Sequence, residues 1–336
     1  MKKKKITIYD VAKEANVSLA TVSRVINGSN VVKDKTKQRV LDVIDRLDFK
    51  PNEIARGLAM SKTTTIAVVF PQSLVTNVRD MISGIGDTGR HLGYNINIYT
   101  TDNLGDNNAV ADVTEKVIKS RVDGVILFDN PDIDYMISSM QRHSVPLVVI
   151  GKQISDENIG SIFIDIHKAT MQVVNNYLEK GKKDIIYVTS EQSLVGSEAA
   201  VAGIKEAYAK HGLAFNDSNI LTSPREYTKS YPMFKEYLKN KKHDLVFCGY
   251  DQDGVAVMNA AKANGLSIPN DMEVMGMSDA TYSIMCQPTL SSMHVPIYDM
   301  GALAIRLLTK FLQDELIESK EISVQYTFIE RESTKG

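Results

Sequence analysis

The 336-residue sequence has only two cysteines, Cys248 and Cys286, far apart. That excludes a disulfide scaffold and a cysteine-rich zinc site, and it suits a reducing compartment. No apolar run approaches the ~20 residues needed to span a bilayer. The histidines, His91, His143, His167, His211, His243 and His294, fall at no metal-ligand spacing. Gly-x-Ser-x-Gly, a paired nucleophile and base, and a phosphate-binding loop are all missing. The run Gly84-Ile85-Gly86-Asp87-Thr88-Gly89 partly fits a dinucleotide fingerprint but falls within an expected helix. The chain is therefore expected to be no enzyme and to hold no metal or cofactor. Lys2 to Lys5 are followed by no apolar segment, which predicts no export and a cytoplasmic location.

What is present is length and an uneven charge. A chain of this size exceeds one ordinary core, so two or three domains are expected. Residues 1–62 carry 14 Lys and Arg against 7 Asp and Glu, leaving 25 basic against 34 acidic residues in the remainder. A basic head on an acidic body suits a polyanion-binding module joined to a regulatory domain. The same charge would also suit a solvated lysine tail.

The head reads as three short helices. Thr7 can cap a helix from Ile8 to Glu14, with Asp10 near the positive end of its dipole and Val11, Ala12 and Ala15 as the apolar face. Asn16 and Val17 turn the chain, and Ser18 can cap a second helix from Leu19 to Ile26, ended by Asn27 and Gly28. Asp34 is expected to cap a third, with Val40, Leu41, Ile44 and Leu47 at helical spacing. This is a helix-turn-helix pattern, whose second helix enters the major groove. Thr21, Ser23 and Asn27 offer short hydrogen-bonding groups, Arg24 a guanine fork, and Leu19 and Ala20 apolar contacts for thymine methyls. Pro51 to Met60 then suits a helix too short to be stable alone, followed by a polar linker.

The runs from Thr7 to Ala12, from Val17 to Gly28 and from Pro51 to Ala59 strongly resemble the head and hinge of the lactose/galactose repressor (LacI/GalR) family. The resemblance implies a homodimer on a pseudo-palindromic operator of double-stranded DNA. By position it implies that Leu19, Ala20 and Arg24 read bases, with Thr7, Ser18, Thr21, Ser23, Asn27, Asn52 and Ala55 among the DNA contacts. Leu58 would be a wedge in a minor-groove base step.

From Thr65 onward short apolar strands alternate with amphipathic helices, in two successive cycles. That predicts parallel sheets covered on both faces, in two doubly wound lobes with a ligand cleft between them. The resemblance implies the same: an all-α helix-turn-helix headpiece (1–50), a hinge helix and linker (51–65), and a two-lobed, periplasmic-binding-protein-like α/β core (66–336). Lobe one is expected over about 66–163 plus 291–322, and lobe two over about 164–290 plus 323–334.

The segment from Tyr298 to Lys310, and the terminal Arg331-Glu332-Ser333-Thr334-Lys335, resemble the branch of the family that controls carbon catabolite genes. That branch takes phosphoserine-HPr as a protein corepressor on lobe one. The resemblance implies contacts at Tyr298, Asp299 and Arg306, and a guanidinium suits a phosphate. Asp299 and Arg306 would equally suit solvent or a dimer seam. Thr327 stands where the family has an arginine, and glycines interrupt the helix after Val78. In the cleft, Ala200 replaces a common arginine and Ser278 a common aspartate, with Asp279 beside it. Asp251 matches an acid that closes on sugar hydroxyls, and would equally serve as a helix cap. Asp251 and Asp279 are thus the effector-binding candidates. The expected function is a catabolite regulator whose DNA affinity phosphoserine-HPr enhances. The alternatives are a sugar-operon repressor controlled by a small sugar or sugar phosphate and, more remotely, a sugar-binding receptor.

Overall fold

The computed structural model describes residues 6–26, 29, 31–49, 63–72, 78–101, 107–190, 197–224 and 226–335. Contacts divide the chain into two compact units, Met1–Thr64 and Thr65–Gly336.

The first unit holds α1 (Ile8–Glu14), α2 (Leu19–Ile26) and α3 (Asp34–Arg46). Thr7 heads α1: the Asp10 carboxylate accepts from its backbone N–H at 2.8 Å and from its hydroxyl at 2.7 Å. Asn16 makes the tight turn with φ of 51°, a left-handed conformation that asparagine tolerates. Ser18 Oγ then accepts the Thr21 N–H at 3.2 Å, capping α2. The expectation for Asp34 is corrected, because Lys33 is the cap of α3. The Lys33 carbonyl already accepts from the amides of Thr36 (2.9 Å) and Lys37 (3.0 Å), which leaves Asp34 inside the first turn. Its carboxylate there complements the helix dipole. Val11, Ala12, Ala15, Val22, Val25, Val40 and Val43 form the core, with Leu41, Ile44 and Leu47 packed at its rim.

The second unit carries two six-stranded sheets. Lobe one runs β1 (Thr65–Pro71), α4 (Arg79–His91), β2 (Asn95–Thr101), α5 (Asn107–Lys119), β3 (Gly124–Phe128), α6 (Ile133–Arg142), β4 (Leu147–Ile150) and β5 (Ile159–Phe163). Lobe two runs α7 (Ile166–Glu179), β6 (Ile185–Ser190), α8 (Ser197–Lys210), β7 (Ile220–Ser223), α9 (Tyr227–Tyr237), β8 (Leu245–Cys248), α10 (Asp251–Ala263), β9 (Glu273–Gly276), α11 (Thr281–Met285) and β10 (Ser291–His294). Then α12 (Ile297–Leu312) and β11 (Glu321–Ser323) complete lobe one, and β12 (Thr327–Ile329) closes lobe two. The sheet orders are β2-β1-β3-β4-β5-β11 and β7-β6-β8-β9-β10-β12. Every pairing is parallel except that of β10 with β12.

Alternation along the strands places the core. In β1, Ile66, Val68 and Phe70 face Ile85, Ile305 and Leu308, while Ala67 and Val69 face Val113, Val117 and Met136. Both faces of the sheet are covered, so the strands read as unbroken apolar runs.

Two boundaries differ from expectation. The crossover expected near Leu290 comes after β10, because Ser291 pairs with Met275 and puts residues 291–294 in lobe two. Ser291 and Ser292 are fully buried through hydroxyl hydrogen bonds, which an apolar-run criterion does not detect. The sequence predicts a helix over Tyr231 to Lys239, but α9 begins earlier, at Tyr227, so Pro232 lies inside it at the cost of one intrahelical hydrogen bond.

Candidate functional site

Helix α2 turns Val22 and Val25 into the headpiece core and leaves the opposite side open. Leu19 is 37% exposed, Ser18, Ala20 and Arg24 are exposed, and Thr21 and Ser23 are half-buried. The Ser18 and Thr21 hydroxyls share a hydrogen bond of 2.9 Å, and Thr7 is exposed at the head of α1. Arg24 makes no ion pair among the described residues, so its guanidinium projects from the helix as an unneutralised five-donor group. An exposed helix face with small side chains at its start and an arginine one turn on can lie in a major groove. Asn27, Asn52, Ala55 and Leu58, and with them the whole hinge segment, lie outside the described residues.

A second surface forms on lobe one, where α12 crosses α4. Gly84 and Gly301 make the crossing close: a Cβ at either would meet the facing backbone, at 2.0 Å from Tyr298 O and 2.1 Å from Met81 O respectively. Gly84, among the glycines after Val78, thus has a packing reason, whereas Gly86 faces open space. The crossing leaves Tyr298, Asp299 and Arg306 exposed. The Tyr298 hydroxyl donates to Asp87 Oδ2 at 3.1 Å, which holds its phenol above the ordinary range. Arg306 stands eight residues further along α12, and its charge acts on that phenol in the opposite, weaker sense.

The cleft residues behave differently from expectation. Asp251 is 0% exposed and saturated. Oδ1 accepts from Ser292 Oγ (2.8 Å) and Ser278 N–H (3.1 Å), Oδ2 from Ser283 Oγ (2.6 Å) and Ala280 N–H (2.8 Å). It is not the cap of α10, which is Tyr250, and its side chain lies inside the lobe. Gly276 makes room for it, since a Cβ there would lie 2.0 Å from Asp251 Oδ1. Asp279 is also engaged, with Arg331 Nη2 at 2.5 Å and His294 Nδ1 at 2.9 Å. Both acids anchor the turn after β9. Ala200 is fully buried and offers the cleft no side chain.

Sequence reasoning missed Asp129. It follows β3, beside the point where the strand order reverses between β1 and β3, and ligands bind parallel sheets outside such strand ends. Burial pushes its carboxyl up to about 6, with the Lys152 charge pulling it back. Lys152 itself pairs with Asp134 at 2.9 Å. The available signal was an acid directly after an apolar strand. Among the described residues, no group of three or more His, Cys, Asp or Glu is set to hold a metal, and no helix is long and apolar enough to cross a membrane.

Comparison with known proteins agrees with this architecture. Residues 7–52 match the family model described as bacterial regulatory proteins, lacI family, and residues 174–334 a periplasmic binding protein-like domain. The chain is 33% identical over 330 residues to catabolite control protein A of Staphylococcus aureus strain Mu50, covering 98% of this chain and 99% of that one. It is also 33% identical over 332 residues to catabolite control protein A of Priestia megaterium, with the same coverage. Among solved structures, the lac repressor dimer bound to operator and an anti-inducer aligns with a TM-score of 0.86 at 21% identity, covering 99% of this chain and 100% of that one. The Lactococcus lactis regulator CcpA aligns at 0.69 and 24% identity, covering 81% and 99%. A helix-turn-helix head with an open second helix, two parallel-sheet lobes and a relative matched end to end together define the assignment: the chain belongs to the lacI family of bacterial DNA-binding regulators.

Proposed function

We propose that this regulator binds a pseudo-palindromic operator as a homodimer, controls carbon catabolite genes, and takes phosphoserine-HPr as corepressor on the α4–α12 face. The observation that carries the corepressor reading is the exposed set Tyr298, Asp299 and Arg306 on α12. An exposed guanidinium on the same helix as an exposed phenol and carboxylate, with no ion pair among the described residues, suits a phosphoserine set among polar groups. The DNA reading is supported by the open face of α2 ending in Arg24. Homodimer formation suits a family of two-fold operators, since paired recognition helices then reach successive half-sites.

A second reading is a repressor controlled by a small sugar or sugar phosphate and not by HPr. Asp129, half-buried with Lys152 at the C-terminal ends of β3 and β4, favours a polar ligand there. One experiment separates the two: operator titration at fixed salt, with and without phosphoserine-HPr, and with candidate sugar phosphates. The expected result is tightening by phosphoserine-HPr of roughly 5- to 150-fold, the usual range of such coupling, and its loss in Arg306→Ala. Wild-type affinity unmoved by phosphoserine-HPr but moved by a sugar phosphate would select the second reading.

A further inference from the structure

The chain passes between the lobes three times, at residues 163–166, 294–297 and 323–327, between the ends of β5, β10 and β11 and the starts of α7, α12 and β12. The second passage leaves lobe two and the third enters it side by side, because β10 and β12 pair antiparallel with His294 opposite Thr327. The first and third are joined where the Val324 N–H donates to Phe163 O at 2.7 Å. One side chain holds the mouth of the second passage and the chain beyond the far end of β12. Asp279 Oδ2 accepts from His294 Nδ1, on the last residue of β10, and Oδ1 from Arg331 Nη2, two residues beyond β12. The Asp279 and Arg331 side chains are 13% and 15% exposed, so water screens this pair little.

Asp279 is itself held in an unusual backbone. Its φ is 46°, left-handed for a residue other than glycine, and its N–H donates to Ser292 Oγ at 3.0 Å. Ser292 in turn donates to Asp251, which also accepts the amides of Ser278 and Ala280 on either side of Asp279. The turn at the C-terminal end of β9 is therefore fixed from below by Asp251 and reaches sideways through Asp279. Left-handed strain of this kind persists only where surrounding bonds over-determine it. Arg331 is set for the grip as well, with Nη1 donating to Leu290 O at 2.7 Å.

We propose that Asp279 is an electrostatic clamp that ties the turn after β9 to His294, where the second interlobe passage begins and beside which the third ends at Thr327, so that the position of this turn governs how freely the lobes move against each other. It is a positioning residue, and its role does not depend on the identity of corepressor or effector.

The test is hydrogen–deuterium exchange on the full-length protein. Asp279→Asn keeps the shape and removes the charge, and it should raise exchange about tenfold or more across both 294–297 and 323–327. His294→Gln and Arg331→Gln should each raise exchange in those passages, and neither should add to the change on the Asp279→Asn background, because both act through one carboxylate. Faster exchange confined to residues 276–286 would overturn the clamp, as would fully additive effects of the three substitutions. Should Asp279→Asn lose the native circular dichroism, the His294→Gln and Arg331→Gln single variants and their double variant still decide. A sub-additive pair supports the clamp and an additive pair overturns it.

Discussion

Asp129 sets a testable pH dependence. Burial disfavours its charged form and lifts the carboxyl from 3.8 to about 6. Between those values the folded chain holds a proton that the unfolded chain has lost, so the group's contribution to stability falls as pH rises through this window. Asp129→Asn should leave the melting temperature unchanged near pH 4 and raise it near pH 7.5, as followed by circular dichroism. A gain of equal size at both pH values would refute the desolvated carboxyl. The lesson from single residues is mixed. Thr7 and Ser18 were legible because cap and partner lie three positions apart. Asp251 and Asp279 were recognisable as acids near strand ends, but their roles were not. The donors that bind Asp251 lie 27 to 41 positions away, and Arg331 lies 52 positions from Asp279.

Helices α4 and α12 show the same division in a whole element. Their apolar spacing predicts buried faces, and Ile85, Met300, Ile305 and Leu308 are indeed buried. How close the axes approach depends on two glycines from opposite ends of the chain. Gly301→Ala would drive a Cβ into the Met81 carbonyl and should cost about 1–3 kcal/mol or more, read from chemical denaturation. Gly86→Ala, on the same α4, is the contrasting case. Nothing lies within 4 Å of a Cβ there, so relief of backbone entropy should stabilise the protein by about 0.5–1 kcal/mol. Equal effects of the two would show that the crossing is not close. Elements such as β5 and β7 are hard to read locally for a related reason. Sequences such as Ile159-Gly160-Ser161-Ile162-Phe163 are short and mixed, and are held as strands by their neighbours in the sheet.

Across the whole molecule, the basic head and acidic body predict how DNA binding responds to salt. Cations that meet phosphates release counterions, so the logarithm of operator affinity should fall linearly with the logarithm of salt concentration. Replacing exposed Arg24 with Ala should lower that slope only if Arg24 meets phosphate; loss of preference at one base pair with an unchanged slope marks a base contact. Fluorescence anisotropy across a salt series distinguishes the two. A flat salt response in the wild type would contradict the charge argument altogether.

Fold class, the caps at Thr7 and Ser18 and the alternation of strand and helix follow from patterns within some fifteen residues of one another, where the period of the backbone forces neighbours onto one face, and the family from a resemblance spaced along the head. The tying of Asp251 and Asp279 into the turn after β9, the placement of β10 in lobe two and the close helix crossing needed the folded chain. A buried carboxylate acquires its role from whichever donors packing brings to it, and those donors come from strands whose adjacency no local pattern records.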